Sequence, residues 1–171
     1  MPVVNKECGV EVSVIVPADK TVRHLENCLR YIKRSIGCRY EILVVDDAST
    51  DHTRGIALQM GARVVQLPIK SGPAAARNRA VGQCRGNILA CIDSDVLVKD
   101  NVLQQLWDGL RDDSVSAVFG SYDNSPEARN AVSVLKNLMH HFFHQRSAGH
   151  VRTFWSGCGT IKKRSSRILG I

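Results

Sequence analysis

Two groups of acidic residues follow two short apolar runs of the sequence. Asp46 and Asp47 follow the run at 42–45, and Asp93-Ser94-Asp95 follows the run at 88–92. Carboxylates held close together disfavour one another's charged form unless a cation neutralises them. Sites rich in carboxylate oxygens favour Mg²⁺ or Mn²⁺, especially where substrate phosphates complete the coordination shell. If the fold brings the four carboxylates together, they predict a metal-assisted site for a phosphorylated ligand.

The segments around these acids predict a fold that does so. Apolar runs at 12–16, 41–45, 63–67, 88–92 and 115–120 alternate with helical patterns. This alternation predicts an α/β fold with a mostly parallel, Rossmann-like sheet and helices on both faces. In such a sheet, ligands bind outside the carboxyl ends of the strands. Pro17, which ends the first run, and Gly72, which follows the third, then lie at the same edge as the acids.

Turn chemistry is the alternative interpretation of each acidic pair, because Asp favours turns and helix caps. Asp47 alone could cap its turn through Ser49. Two pairs at one edge favour a ligand site instead. The missing motifs disfavour three other kinds of site. The sequence has no GxxxxGK[ST] loop of a P-loop NTPase, no GxGxxG of a classical dinucleotide site after the first strand, and no GxSxG nucleophile elbow.

The C-terminal quarter differs from the rest in charge. The 171 residues carry a net charge of +7, yet no acidic residue follows Glu127. A helix is predicted from Pro126, with an apolar arc that includes Phe142 and Phe143. The apolar arc predicts either packing against the sheet or peripheral contact with a membrane surface. The opposite arc, which includes His140, His141 and His144, is interpreted as a solvated face rather than a metal site.

The sequence also bears on the cellular location and the partners of the chain. No apolar stretch is long enough to span a bilayer and none resembles a signal peptide, so a cytoplasmic location is expected, in which the six cysteines are free thiols. Nucleic acid is disfavoured as a partner because the basic residues lack interleaved aromatics.

The motifs together resemble those of a family 2 glycosyltransferase with the GT-A fold. The resemblance covers nearly the whole chain, in family order and spacing. Its segments are VSVIVP at 12–17, VVDDASTD at 44–51, GPAAARN at 72–78, IDSD at 92–95 and FWSGCG at 154–159. It implies a single domain, 1–171, with a donor-binding core at 1–122 and a basic helix plus the start of the acceptor region at 123–171.

The resemblance also implies roles for individual residues. Nucleotide binding falls to Pro17, Ala18, Asp46, Asp47, Gly72, Arg77, Asp93 and Ser94, with either Asp46 or Asp47 on the base. Asp95, with Asp93, would hold the Mn²⁺ or Mg²⁺ that bridges the diphosphate. The sugar or acceptor would lie near Trp155, Gly157, Cys158 and Gly159. The implied reaction is inverting transfer from a nucleotide-diphospho-sugar to a glycan or lipid-linked acceptor of the cell envelope.

Two departures from the family pattern bear on activity. Ala18-Asp19-Lys20 stands where the family has an aromatic and an asparagine, and the acidic catalytic base expected after Gly159 is absent. An inverting transferase needs that base to deprotonate the acceptor. We therefore expect a truncated chain that binds donor but transfers little sugar by itself. The alternatives are a degenerate module that only binds nucleotide-sugar, and a receiver-like signalling domain.

Overall fold

The computed structural model describes residues 9–123, 130–146, 149 and 154–165. Eleven elements follow one another along this part of the chain. They are β1 (Val12–Ala18), α1 (Val22–Lys33), β2 (Tyr40–Asp46), α2 (Thr53–Gln59), β3 (Arg63–Gln66), α3 (Gly72–Val81), β4 (Ile88–Ile92), α4 (Val102–Asp108), β5 (Ala117–Phe119), α5 (Ala131–Arg146) and β6 (Cys158–Lys162).

The strands form one sheet in the order β3-β2-β1-β4-β6-β5. The first four strands pair in parallel, whereas β6 is antiparallel to both β4 and β5. The predicted α/β architecture with a mostly parallel sheet is confirmed. Strand β6 was not predicted, because Gly159, Thr160 and Lys162 leave it without a continuous apolar run.

Helices cover both faces of the sheet. Leu25, Leu29 and Ile32 of α1 lie in a core with the even-numbered β1 side chains, together with residues of α2 and α4. On the other face, Ala76 and Ala80 of α3 pack with Ile15 and neighbouring strand residues. Burial on both faces explains why the strands are apolar throughout, as a parallel sheet requires.

Helix α5 exposes its apolar arc to solvent instead of packing it against the sheet. None of its side chains is buried, and Phe142 and Phe143 are 51% and 58% exposed. Of the two alternatives for these phenylalanines, packing on the sheet is therefore not supported, and contact with a membrane surface stays a prediction. The predicted start of this helix at Pro126 lies outside the described residues. No described helix is both long and apolar enough to cross a bilayer.

The cysteines are free thiols in the described part of the chain, as predicted. They are Cys28, Cys38, Cys84, Cys91 and Cys158. Burial is the main cause that raises the pKa of Cys28 and Cys91 to about 12. These two thiols therefore remain protonated at neutral pH and behave as small apolar core residues.

Gly86 allows the turn before β4 to approach the start of β1. A Cβ at this position would lie 2.8 Å from Glu11 O and from Ser13 N, both of which are backbone atoms. We expect Gly86→Ala to lower the free energy of unfolding by about 3 kcal/mol, because the backbone must move apart. Gly82→Ala is the matched control, since a Cβ there meets nothing within 4 Å. Urea denaturation measures both variants, and equal stabilities would contradict the prediction.

Candidate functional site

The loops that follow β1, β2, β3 and β4 gather at the carboxyl edge of the sheet. Asp47 connects two of them: its two carboxylate oxygens accept the N–H groups of Ser71 and Gly72 at 2.7 and 2.8 Å. Asp47 is only 3% exposed. Gly72 has φ +86°, which a glycine adopts without strain. Asp47 thus fixes the turn that begins α3 beside the end of β2.

Asp46 is buried next to Asp47 but has a different set of contacts. Its Oδ1 accepts the N–H of Ser49 at 3.0 Å, which closes the turn after β2. Its Oδ2 is buried and has no hydrogen-bond partner within the described part of the chain. Ala48, inside this turn, has φ +56°, a conformation that is uncommon for a non-glycine residue and clusters at functional sites.

The loop after β1 lies against the same turn. Pro17 and Ala18 are buried at the end of β1, and Ala18 O accepts the N–H of Asp47 at 2.8 Å. Lys20 N–H donates to Ser49 Oγ at 3.1 Å. An ion pair between Lys70 and Asp19 joins this loop to the one before α3. Three loops of the edge are therefore tied directly to one another.

Arg77 connects α3 to the loop after β4. Its side chain is 9% exposed, and its Nη2 lies 2.5 Å from Asp93 Oδ1. Burial is the main cause that raises the pKa of Asp93; the positive charge of Arg77 opposes this shift, and the negative charge of Asp95 adds to it. Arg77 therefore helps to keep Asp93 ionised and fixes its orientation. The Nε of Arg77 is buried and finds no partner among the residues that the structure describes.

Asp93 and Asp95 offer oxygen ligands suited to a hard divalent cation. The side chain of Asp93 is 39% exposed, Asp95 is exposed, and Ser94 between them is buried. Within the described residues, no group of three or more His, Cys, Asp or Glu side chains could hold a metal. Two carboxylates fit a cation whose remaining ligands are substrate phosphates and water, which is how Mg²⁺ is commonly held.

The glycine segment at 157–159 runs beside β4 as the start of β6. Gly157 O accepts the N–H of Asp93 at 2.9 Å, so this segment contacts the acidic loop directly. A Cβ on Gly157 would lie 2.4 Å from the Trp155 ring, which leaves no room for a side chain. Cys158 belongs to the hydrophobic core, where burial raises its pKa to about 11. Its thiol is therefore not presented to a ligand.

An aromatic cluster beside Trp155 was not predicted from the sequence. The Tyr122 ring lies 5.0 Å from Trp155 and 5.3 Å from His140, and His144 lies 5.1 Å from Trp155. His141 Nδ1 lies 2.6 Å from Tyr122 O. The prediction of a solvated histidine face is therefore wrong for His141 and His144, which are partly buried.

The cluster adjoins the acidic loop. Burial raises the pKa of Tyr122, and the charges of Asp95 and Asp93 raise it further. The only sequence signal for this contact was the helical spacing of His140 and His144, which places them on one side of α5. Nothing in the sequence indicated that this side faces Tyr122.

The chain is similar in sequence to known proteins. It matches the family model described as glycosyl transferase family 2 over residues 13–167. It is 32% identical over 122 residues to glycosyltransferase GlyG of Streptococcus pneumoniae, covering 68% of this chain and 40% of that protein. It is 27% identical over 115 residues to the Escherichia coli UDP-Glc:alpha-D-GlcNAc-diphosphoundecaprenol beta-1,3-glucosyltransferase WfgD, covering 66% of this chain and 46% of WfgD.

A solved structure supports the fold independently. The mannosyltransferase PcManGT from Pyrobaculum calidifontis, in complex with GDP-Man and Mn²⁺, superimposes with a TM-score of 0.73. The match covers 96% of this chain and 48% of PcManGT at 24% sequence identity. The predicted GT-A-type fold is confirmed, and the receiver-like alternative is not supported. On the strength of the family match, which extends over nearly its whole length, the chain belongs to glycosyl transferase family 2.

Proposed function

We propose that this chain binds a nucleotide-diphospho-sugar at the carboxyl edge of the sheet, as the donor of a glycosyl transfer reaction. The observation that carries the proposal is the convergence of Asp46, Asp47, Asp93 and Asp95 on adjoining loops. Arg77 and the N–H groups of Ser71 and Gly72 orient two of these acids. The name of the relative WfgD includes UDP-Glc, which supports a nucleotide-sugar ligand.

The nucleoside would lie between the first three loops. Pro17, Ala18 and Gly72 would line its pocket, and Asp46 or Asp47 would accept a hydrogen bond from the base. Among the described residues, Oδ2 of Asp46 is buried and accepts no hydrogen bond. Each Asp47 oxygen accepts one backbone N–H and retains further acceptor capacity, so both acids remain candidates. Asp93, Ser94 and Arg77 would lie toward the ribose and diphosphate.

Asp95 and Asp93 would hold Mn²⁺ or Mg²⁺ against the diphosphate. Bound there, the cation would act as a Lewis acid that stabilises the leaving nucleoside diphosphate. The chain's own contribution is to orient Asp93 through its ion pair with Arg77, whose positive charge opposes the rise in the Asp93 pKa that burial causes. In the proposed inverting transfer, an acceptor hydroxyl oxygen bonds to the anomeric carbon as the bond from that carbon to the phosphate oxygen breaks. The nucleoside diphosphate leaves with that oxygen, and the hydroxyl proton passes to water.

The acceptor would approach from the side of Trp155, Gly157 and Gly159. We propose residues 1–122 as the donor-binding part and 123–171 as the start of the acceptor region. A lipid-linked or envelope glycan acceptor is supported by the diphosphoundecaprenol in the name of WfgD. Such an acceptor places the reaction at a membrane surface, and we propose that this is the cytoplasmic surface.

Calorimetry with UDP, GDP and dTDP, each with and without Mn²⁺, tests the proposal. We expect one nucleotide to bind in a metal-dependent way, and Asp95→Ala to lose the metal-dependent part of the affinity. Asp108→Asn is the control, because this acid at the end of α4 pairs with Arg111 and belongs to no proposed site. Absence of binding for every nucleotide, or an equal loss in the control, would contradict the proposal.

Turnover is a separate question from binding. Residues 128–171 contain no acidic residue, so this segment offers no carboxylate base to an acceptor hydroxyl. We expect the purified 171-residue chain to bind donor while transferring little sugar. Donor consumption measured with a lipid-linked acceptor distinguishes this outcome from full activity.

A further inference from the structure

Helix α5 presents a continuous apolar surface to solvent, here called the α5 apolar face. Its members are large side chains that are between 42% and 63% exposed. They are Val132, Leu135, Leu138, Met139, Phe142 and Phe143. Their spacing places them along one arc of the helix. The other large apolar side chains exposed in the described chain, Ile36, Leu58 and Ile69, stand on three separate segments.

The opposite side of α5 fixes this orientation. His144 packs against Trp155 and lies 6.0 Å from the Phe119 ring, and His141 contacts Tyr122 O. The histidine side therefore faces the body of the protein. The helix is amphipathic, but its apolar half faces outward, as in helices that bind a partner or lie on a lipid surface.

The charges on α5 favour an anionic surface as that partner. The helix contains no acidic residue, and its cations are Lys136 and Arg146. The Arg146 guanidinium lies 5.1 Å from the centre of the Phe142 ring, so a cation accompanies the apolar face. A symmetric contact between two copies would bring like cations together without an acid on α5 to pair them. Anionic lipid headgroups attract the cations, while the acyl boundary accepts the apolar side chains.

We propose that the α5 apolar face docks this chain on an anionic lipid bilayer, with Phe142 and Phe143 entering the interfacial layer. This inference rests on the proposed function: docking matters for catalysis only if the chain takes part in glycosyl transfer to a lipid-linked acceptor. The helix that touches the bilayer contacts Tyr122 and Trp155 beside the acidic loop. A lipid-linked acceptor would then reach the proposed site without leaving the membrane surface.

Vesicle sedimentation with the full chain tests the proposal. We expect the chain to sediment with phosphatidylcholine vesicles that contain phosphatidylglycerol, and to bind severalfold less to phosphatidylcholine alone. Combined Phe142→Ser and Phe143→Ser substitutions should reduce sedimentation severalfold, as should Val132→Ser combined with Leu135→Ser at the other end. The matched control combines Leu58→Ser with Ile69→Ser, which alter side chains that are 53% and 70% exposed elsewhere. Circular dichroism checks that each variant is folded.

The outcomes separate lipid binding from self-association and from a general loss of solubility. Equal binding to neutral vesicles, no binding by the native chain, or an equal loss in the control would overturn the proposal. So would a dimer in light scattering that dissociates in the phenylalanine variants, because the α5 apolar face would then join two copies. Nucleotide calorimetry on the same samples distinguishes the two proposals: if the native chain binds nucleotide but does not bind anionic vesicles, only the docking surface is refuted.

Discussion

Replacing Arg77 with methionine should both destabilise the chain and weaken metal-dependent nucleotide binding. Arg77 is buried, and its partner Asp93 would keep a charge that burial disfavours. Removing one member of a fully buried pair costs several kcal/mol; since Asp93 is 39% exposed and partly hydrated, we expect a loss of about 2 kcal/mol. Because positioning residues behind metal ligands affect metal affinity, we expect nucleotide affinity to fall by roughly tenfold or more.

The pH dependence of this destabilisation identifies its cause. Without Arg77, the pKa of Asp93 in the folded state should rise further above its unfolded value. The cost of the unpaired carboxylate is then absent below the unfolded pKa and develops as the pH rises through the folded pKa. The difference in unfolding free energy between the native chain and Arg77→Met should therefore be smaller in acid than at neutral pH. Urea denaturation across this pH range measures it, and a difference that does not change with pH would refute the role of the ion pair.

Asparagine at position 47 should disorganise the turn before α3. Asp47 accepts two backbone N–H groups, and an amide can accept only one of them while its NH₂ group faces the other. A buried donor without an acceptor typically costs about 1–3 kcal/mol, so we expect Asp47→Asn to lower the unfolding free energy by about 2 kcal/mol. Nucleotide affinity should fall with it, because Gly72 and the base-binding loops depend on this turn.

Asp51→Asn is the matched control for this substitution. Asp51 Oδ1 accepts the N–H of Thr53 at 3.0 Å, but the side chain is exposed, and asparagine retains the acceptor it uses. Its stability should change by no more than about 0.5 kcal/mol. Thermal unfolding and calorimetry of the two variants measure the contrast. If Asp47→Asn were as stable as Asp51→Asn, the carboxylate would not be organising the turn.

The meeting of the acidic loops could be predicted because it depends on one local rule. Apolar runs with crossover helices form parallel strands, and parallel strands end at a common edge. Asp46, Asp47 and Asp93 were placed there from their positions after the runs alone. Their contacts could not be predicted, since the bonds from Ser71 and Gly72 to Asp47 depend on how two loops approach each other. Helix ends are harder to derive from spacing alone: Ile36 continues the helical spacing of Leu29 and Ile32, yet α1 ends at Lys33 and Ile36 is 65% exposed.

The solvated histidine face that was predicted for α5 and the strand β6 that was not predicted have a common physical explanation. The helical pattern of α5 correctly separates an apolar arc from a histidine arc, but periodicity does not say which arc faces the protein. Here Tyr122 and Trp155 decide it by packing against His140 and His144. Strand β6 was missed for a similar reason, because it is held by pairing with β4 and β5 rather than by its own sequence.

The position of β6 between β4 and β5 has a consequence for the order of folding. Strands β1 to β4 can pair as soon as residues up to 92 have left the ribosome, since their partners are then all present. Strand β5, only three residues long, pairs solely with β6 in the sheet order and must wait for residues 158–162. The pairing of Ile88 with Lys162 closes a long loop, which is slow to form. Until then the free edge of β4 is open to strands of other chains. We therefore expect cotranslational aggregation mainly in the interval after residue 92 has emerged and before residue 162 has emerged.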